Sequence, residues 1–465
     1  MGTEKINRKY IAGISLVSAL GGLLFGYDWV VIGGAKPFYE QFFQIAESPS
    51  LQGWAVSCAL VGCIVGAVTS GVLSDKYGRK KLLVLSAVFF TVSAIGTGLA
   101  NSFSYFILYR IIGGVGIGLA STLSPVYIAE VSPAFLRGRL VTINQLTIVI
   151  GILLAQVVNW GIAEVVPANT SATKILHSWN GQMGWRYMFW AEAIPALMFF
   201  ILIWFIPDSP RWLTKNAKSE KATAILCKIG GAEYAKGTSI EIKNSLTTDL
   251  AKAKLKDALQ SKSLPLITLG VVLAIFQQWC GINVIFLYAD EVFSSAGYNT
   301  SDLLFTVVIT GGVNLVFTLL SMLFVDTVGR KFLMLAGSLG LALIYSVLGY
   351  FYFSGMQGIP LLLLVISAIA VYAMTLAPVT WVILSEIFPN RIRGVAMAIA
   401  TFSLWIGNTL LAYFFPLINT KLNASGSFWL FSMICFSGYL FIKYKLVETK
   451  GKTLEQIEKE MDYQG

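Results

Sequence analysis

Histidine is almost missing from this chain: 465 residues contain one, His177, in a polar stretch between apolar runs. Imidazole is the side chain that titrates between pH 5 and 8 and the commonest metal ligand, so neither use is built in here, and His177 reads as a loop residue. Cysteine is scarce as well. Cys58, Cys63, Cys227, Cys280 and Cys435 are scattered, four of them inside apolar runs. Their spacing fits no metal site, and an odd set argues against a disulfide framework. Charge is thin: charged residues make up 12% of the chain, whereas soluble domains run about 25%. No nucleophile–base pair or metal set falls within the apolar runs, which argues against an enzyme. No metal and no organic cofactor is expected.

What the chain has instead is apolar surface. Hydrophobic residues make up 56% of it and the mean hydropathy is +0.72. Apolar runs of about 18 residues or more recur from end to end, each long enough to cross a bilayer core of ~30 Å. The first, from Tyr10 to about Gly34, lacks a small-residue cleavage site after a short apolar core, so it reads as a retained span rather than a signal peptide. Twelve spans are expected, at 10–34, 52–74, 80–100, 102–129, 138–163, 184–207, 264–290, 303–325, 332–354, 359–385, 394–420 and 426–447. An all-α protein of the lipid bilayer follows.

A net charge of +10 would suit a nucleic-acid partner, but the placement of the charges excludes one. Of 34 Lys and Arg residues, 29 fall at the N-terminus, in the even-to-odd connections and at the C-terminus. Lys36, Lys174, Arg186 and Lys421 lie on the other side, and Arg110 lies inside a span. That asymmetry is the positive-inside rule and puts both termini in the cytoplasm. The one long polar segment, about 208–263, splits the spans six and six. Within it EKATAILCK and EIKNSLTTDLAKAKLKDAL read as short amphipathic helices separated by Gly230-Gly231. The expected domains are a six-helix bundle at 1–207, a helical cytoplasmic linker at 208–263, a second bundle at 264–447 and a cytoplasmic tail at 448–465.

The halves repeat. DKYGRK at 75–80 returns as DTVGRK at 326–331, and Glu130 with Arg137-Gly138 returns as Glu386 with Arg393-Gly394. Two motifs at nearly one offset are the trace of a parallel repeat, as in transporters that rock two bundles around a central site. Asp75 and Asp326 at helix ends can pair with Arg79 and Arg330. Glu130 with Arg137, and Glu386 with Arg393, are expected to pair across neighbouring helices. A mixed-sign cluster of this kind can close and open with the cytoplasmic gate. The stretch RIIGGVGIG contains G-x-G-x-G but follows no strand, and Leu119 stands where a nucleotide loop needs its last glycine. Gly114 and Gly118, like Gly62 and Gly66, make small-residue packing faces instead.

PDSPRWL, the two GRK loops, YRIIGGVGIG, SEIFPNRIRG, FQQWCGIN and ETKGKTLE together resemble the sugar porter family of the major facilitator superfamily, over nearly the whole chain. Among its members the sequence is most similar to bacterial D-xylose–proton symporters. The resemblance implies twelve transmembrane helices in two six-helix bundles (the MFS fold) with a helical cytoplasmic insert. It also implies residence in the bacterial cell inner membrane, and adds Asp208 and Arg211 of PDSPRWL to the cytoplasmic gate. A monomer is expected.

The seventh span carries the cargo site on this reading. Gln277, Gln278 and Asn283 are amides in an apolar stretch, and an amide both donates and accepts, as a sugar hydroxyl does. Gly281 can loosen the helix between them. Asn314, Tyr288 and Trp381 add an amide, a phenol and a ring, and these six positions match the family's sugar ligands. Phe25 can present a further ring. Symporters of this type carry glutamines where this chain has Ile152 and Leu404, and a tryptophan and a glycine where it has Leu376 and Ala377. Gln156, one turn from Ile152, is the substitute amide. Three ionisable residues lie well inside spans: Asp28, Arg110 and Glu192. Counted from the outward helix ends, each lies 8 residues in, or ~12 Å at 1.5 Å per residue. Equal depth permits a cluster, and an intramembrane charge is a functional site by default. In proton-coupled relatives an aspartate at this place carries the proton. Asp28 is therefore assigned as the proton site, Arg110 as its modulating partner and Glu192 as a supporting carboxylate.

The expected function is import of a monosaccharide, pentose or hexose, with a proton as coupling ion, by alternating access. A passive facilitator with the same pocket is the alternative, and a non-transporting sugar receptor the alternative of another class.

Overall fold

The computed structural model describes residues 6–167, 170–248, 264–297, 299–388 and 392–450. Among them there is no strand. In chain order the first helices are α1 (Arg8–Phe42), α2 (Pro49–Tyr77), α3 (Arg79–Leu99), α4 (Phe103–Val131), α5 (Ala134–Ile162), α6 (Ala172–His177) and α7 (Trp185–Leu202). A π-helical turn, Asn180–Gly184, leads into α7. The polar segment forms α8 (Pro210–Lys215) and α9 (Ser219–Thr248). The remainder follows as α10 (Leu264–Trp279), α11 (Ile282–Leu287), α12 (Ala289–Ser295), α13 (Thr300–Val328), α14 (Arg330–Phe353), α15 (Ile359–Met374), α16 (Leu376–Ile387) and α17 (Arg393–Lys445).

Eleven stretches of the described chain are long and apolar enough to cross a membrane. The last, α17, runs for 53 residues, which at 1.5 Å each is over twice a ~30 Å core. Its backbone breaks at Asn423 (φ 58, ψ 179), so α17 holds two spans and the total is the expected twelve.

Three expected spans are interrupted rather than continuous. The seventh breaks at Gly281 and again at Tyr288, giving α10, α11 and α12; the tenth breaks at Thr375 between α15 and α16; the sixth opens on its π turn. Interrupted helices free backbone groups, which a membrane tolerates only inside protein or beside a cavity. The two helices expected in the polar segment meet at Gly231 (φ 87), so the second begins about ten residues earlier than EIKNSL implied. Its sequence beyond Thr248 lies outside the described residues.

Contacts divide the chain into two compact units, the first from Met1–Asp28, Gly62–Ile152 and Phe189–Lys252, the second from Trp29–Val61, Leu153–Met188 and Ala253–Gly465. In the first, α3 packs along α4, and the glycine faces of α2 and α4 meet. A Cβ on Gly66 would strike the Val115 carbonyl and one on Gly118 the Cys63 carbonyl, so the helices touch backbone to backbone. Ile11, Ile128, Leu140, Leu226 and Ile229 form a core that ties α1, α4 and α5 to α9. In the second unit α17 runs against α10 and α14, and α15 against α13 and α14.

Candidate functional site

The amides of the seventh span converge at its break. Gly281 adopts φ 90, a left-handed conformation that costs any other residue strain, and a Cβ there would lie 2.8 Å from the Phe431 ring. The turn brings Asn283 back towards Gln278. Gln277 Nε2 donates to Tyr372 Oη at 2.6 Å, Gln278 Nε2 donates to Gln277 Oε1, and Asn283 Nδ2 donates to Gln278 Oε1 at 2.6 Å. Asn283 Nδ2 also reaches Asn408 Oδ1 at 3.2 Å, and Asn408 Nδ2 has no partner among the described residues. All four amides are buried. A relay of buried amides ending on an unused donor is suited to a ligand that offers acceptor oxygens, because burial without a partner costs about 1–3 kcal/mol. Gly281→Ala is expected to lower the thermal unfolding midpoint in detergent, at a cost of about 1–3 kcal/mol; an unchanged midpoint would mean that the turn carries no strain.

Gln156 of α5 is 2% exposed, and neither Nε2 nor Oε1 has a partner among the described residues. Its Oε1 abuts Gly311 of α13, where a Cβ would collide with it. Asn314, also buried, stands one turn further along the same helix. Not every expected contact is free. Tyr288 Oη donates to the Ala412 carbonyl at 2.5 Å and its ring packs on Phe415, so the phenol is already engaged. Trp381 is 38% exposed. Leu376 and Leu404 are buried among apolar side chains and Ile152 is half-buried.

In the first unit Asp28, Arg110 and Glu192 are 0, 2 and 1% exposed. The Arg110 guanidinium pairs with Asp28 Oδ1, reaches the Asp28 carbonyl at 3.4 Å and lies 5.6 Å from the Phe189 ring centroid. Asp28 Oδ2 has no partner among the described residues and faces Gly113, where a Cβ would come within 2.9 Å of it. Glu192 interacts electrostatically with both Asp28 and Arg110, and its Oε1 also lacks a partner. Two buried carboxylates share one guanidinium. An intramembrane cluster of this kind is a functional site by default.

The repeated charges come together differently from the expectation. Arg79 pairs with Glu130 at 3.0 Å and with Asp75 at 3.4 Å, and Lys215 also holds Asp75 at 2.8 Å. Ser209, the cap of α8, donates to Glu130 at 2.5 Å. In the other half Arg330 pairs with Glu386 at 3.4 Å, and Thr449 donates to Glu386 at 2.5 Å. The expected Glu130–Arg137 and Glu386–Arg393 pairs do not form among the described residues. Arg137 is exposed, and Arg393 donates to the Phe388 carbonyl at 3.1 Å. Arg137 in the first turn of α5 and Arg393 at the start of α17 follow the bend after each glutamate's helix, whereas the arginine that starts α3 or α14 reaches the glutamate directly. Asp208 and Arg211 flank the Ser209 turn, partly buried. The Asp326 side chain lies outside the described residues.

Sequence reasoning missed Ser209, Thr449, Tyr372 and Asn408. Asn408 carried the same signal as Asn314, a lone amide in an apolar run. Ser209 and Thr449 had none, because their roles depend on where the polar segments return.

Glu448 closes the second cluster, accepting from the backbone N–H of Arg330 and Lys331 at 3.0 Å and of Lys450 at 2.9 Å. Burial raises its pKa, but these N–H donors at the start of α14 outweigh it and hold the carboxyl below its usual range. A depressed folded pKa stabilises above the unfolded value and the contribution is lost as pH falls through the folded one. Thermal unfolding of Glu448→Gln against the native chain is therefore expected to show a gap at neutral pH that closes below about pH 4; a gap independent of pH would contradict this role.

Comparison with known proteins places these features in a family. Residues 14–461 match the model of the family described as sugar (and other) transporter. The chain is 41% identical to the D-xylose-proton symporter of Escherichia coli, over 97% of this chain and 96% of that one. It is 36% identical to the arabinose-proton symporter of Bacillus subtilis, over 98% and 96%. The inward-open structure of the E. coli xylose transporter XylE superposes with a TM-score of 0.85 at 40% identity, over 97% of this chain and 99% of that one. With its twelve spans, its repeated GRK loops and this match along almost its full length, the chain belongs to the sugar porter family of the major facilitator superfamily.

Proposed function

We propose that this protein imports a monosaccharide together with a proton across the bacterial cell inner membrane, with both termini in the cytoplasm. The observation that carries it is the buried Asp28–Arg110 pair with a carboxylate oxygen left over beside Glu192, in a chain 41% identical to a proton symporter. A passive carrier has no use for such a group, whose insertion in a span costs ~2.5–3.5 kcal/mol. Protonation of Asp28 weakens its hold on Arg110, and deprotonation restores it; Glu192 sets how readily the proton moves between the two carboxyls. Gln277, Gln278, Asn283, Asn314 and Gln156 are assigned to cargo hydroxyls. Tyr288 and Trp381 are assigned to shaping the pocket rather than to hydrogen bonding. The bundles at 1–207 and 264–447, with the linker at 208–263, are the moving bodies. Arg79–Glu130 and Arg330–Glu386 are the cytoplasmic latches that part between states. Lost amides at Ile152 and Leu404 favour a cargo with fewer hydroxyls to satisfy, or a shape that reaches Gln156.

The test is a competition panel of pentoses, hexoses and polyols against labelled D-xylose in proteoliposomes. Competition by one group of pyranoses with matched hydroxyls is expected. Uptake that no sugar inhibits would overturn the assignment.

A further inference from the structure

The outer end of the first span holds a second buried charge cluster. Helix α1 continues past the expected end at 34 to Phe42, and Lys36, placed on the sequence as a topology charge, is 1% exposed. Its Nζ lies 3.1 Å from Glu40 on the same helix, 2.9 Å from Asp290 and 2.6 Å from Glu291. Both of the latter belong to α12, the piece of the seventh span beyond the Tyr288 break. All of these residues lie in the second unit. The approach is close along the whole stripe: a Cβ on Gly33 would come within 2.6 Å of the Phe286 carbonyl, and Trp29 lies 6.3 Å from Trp405. Lys36 also sits 5.5 Å from the Tyr288 ring centroid.

The charges do not balance. One ammonium faces three carboxylates, and Asp290 Oδ1 and Glu291 Oε2 have no partner among the described residues. The remaining groups facing Lys36 are the phenols of Tyr39 and Tyr288, with Glu47, Gln52, Asn419 and Thr420 across a cleft of about 450 Å³. None of them adds a cation. We infer that Lys36 is the keeper of an outer latch between α1 and α12, and that closing this latch takes up a proton on the Asp290–Glu291 pair. When the latch opens, the carboxylates meet water and release the proton to the outside. External acid therefore favours the outwardly closed form, through groups separate from Asp28.

This inference rests on the alternating-access reading, which gives the α1–α12 contact a second, open state. Its test reads distance rather than transport, so the two fail independently. Spin labels at Leu51→Cys and Ser354→Cys, both exposed positions in the second unit, with Cys227→Ser to remove the exposed native thiol, report the separation by pulsed electron resonance. In the native background the short-distance population should dominate at about pH 5.5 and shrink by about pH 8 as the pair ionises. Lys36→Met should move the closed-to-open ratio towards open by about tenfold or more at neutral pH, with Lys36→Arg restoring the native ratio. Asp290→Asn with Glu291→Gln, which keep the shape and remove the titration, should abolish the pH dependence. A Lys36→Met distribution that matches the native one at every pH would overturn the latch. A pH dependence that survives the double amide variant would overturn its proton.

Discussion

Asp28→Asn should abolish uphill accumulation of sugar in sealed vesicles with an imposed proton gradient, while counterflow of the same sugar continues. Asparagine keeps the shape and accepts from Arg110 but has no carboxyl to take up and release a proton. The native pair leaves Asp28 Oδ2 and Glu192 Oε1 without partners among the described residues, two carboxylates beside one guanidinium. Removing the Asp28 carboxylate removes the group proposed to carry the proton. Accumulation should fall to the level of equilibration, while the counterflow rate changes by less than about tenfold, since the cargo amides are untouched. Accumulation equal to the native level would sink the Asp28 assignment; loss of counterflow along with it would mean that the pair is structural.

Gln278→Ala should weaken cargo binding by about 10–100-fold, equivalent to about 1.4–2.8 kcal/mol. Gln278 is the centre of the relay: it donates to Gln277 and accepts from Asn283 at 2.6 Å. Truncation removes the group offered to a hydroxyl and also frees Asn283 Nδ2 to turn wholly to Asn408. Buried donors and acceptors without partners are what discriminates strongly between ligands. Asn408→Ala should have a smaller effect, because it stands at the end of the relay and is joined to it by one longer bond, 3.2 Å from Asn283. Isothermal titration of the purified variants with D-xylose and with D-glucose measures both. Equal affinity in the native chain and in Gln278→Ala would remove the seventh-span amides from the site.

Most of the fold was readable because bilayer thickness imposes it. Runs of apolar residues fixed the twelve spans, and their interruptions escaped: Tyr288 and the π turn carry no proline, while Pro378 stands three residues past the Thr375 break and was a signal that went unused. Gly281 was legible, since a glycine between amides in a span has few other uses. The depth count also brought Asp28, Arg110 and Glu192 together, because a helix converts residue number to height at a fixed 1.5 Å each. Height says nothing of which side chains turn towards one another. The pairing of Arg79 with Glu130, in place of Arg137, depended on where α3 begins. Lys36 was the largest miss. A lysine at the outward end of a span is indistinguishable in sequence from a snorkelling charge, and two of its three carboxylates are brought to it by α12, some 250 residues away.

The most direct test of the central claim is to add D-xylose to proteoliposomes with no initial gradient and to follow external pH and sugar entry together. Symport requires the medium to turn alkaline as sugar enters, in fixed proportion, with both signals lost in Asp28→Asn. Sugar entry with no change in pH would contradict proton coupling and leave a passive carrier.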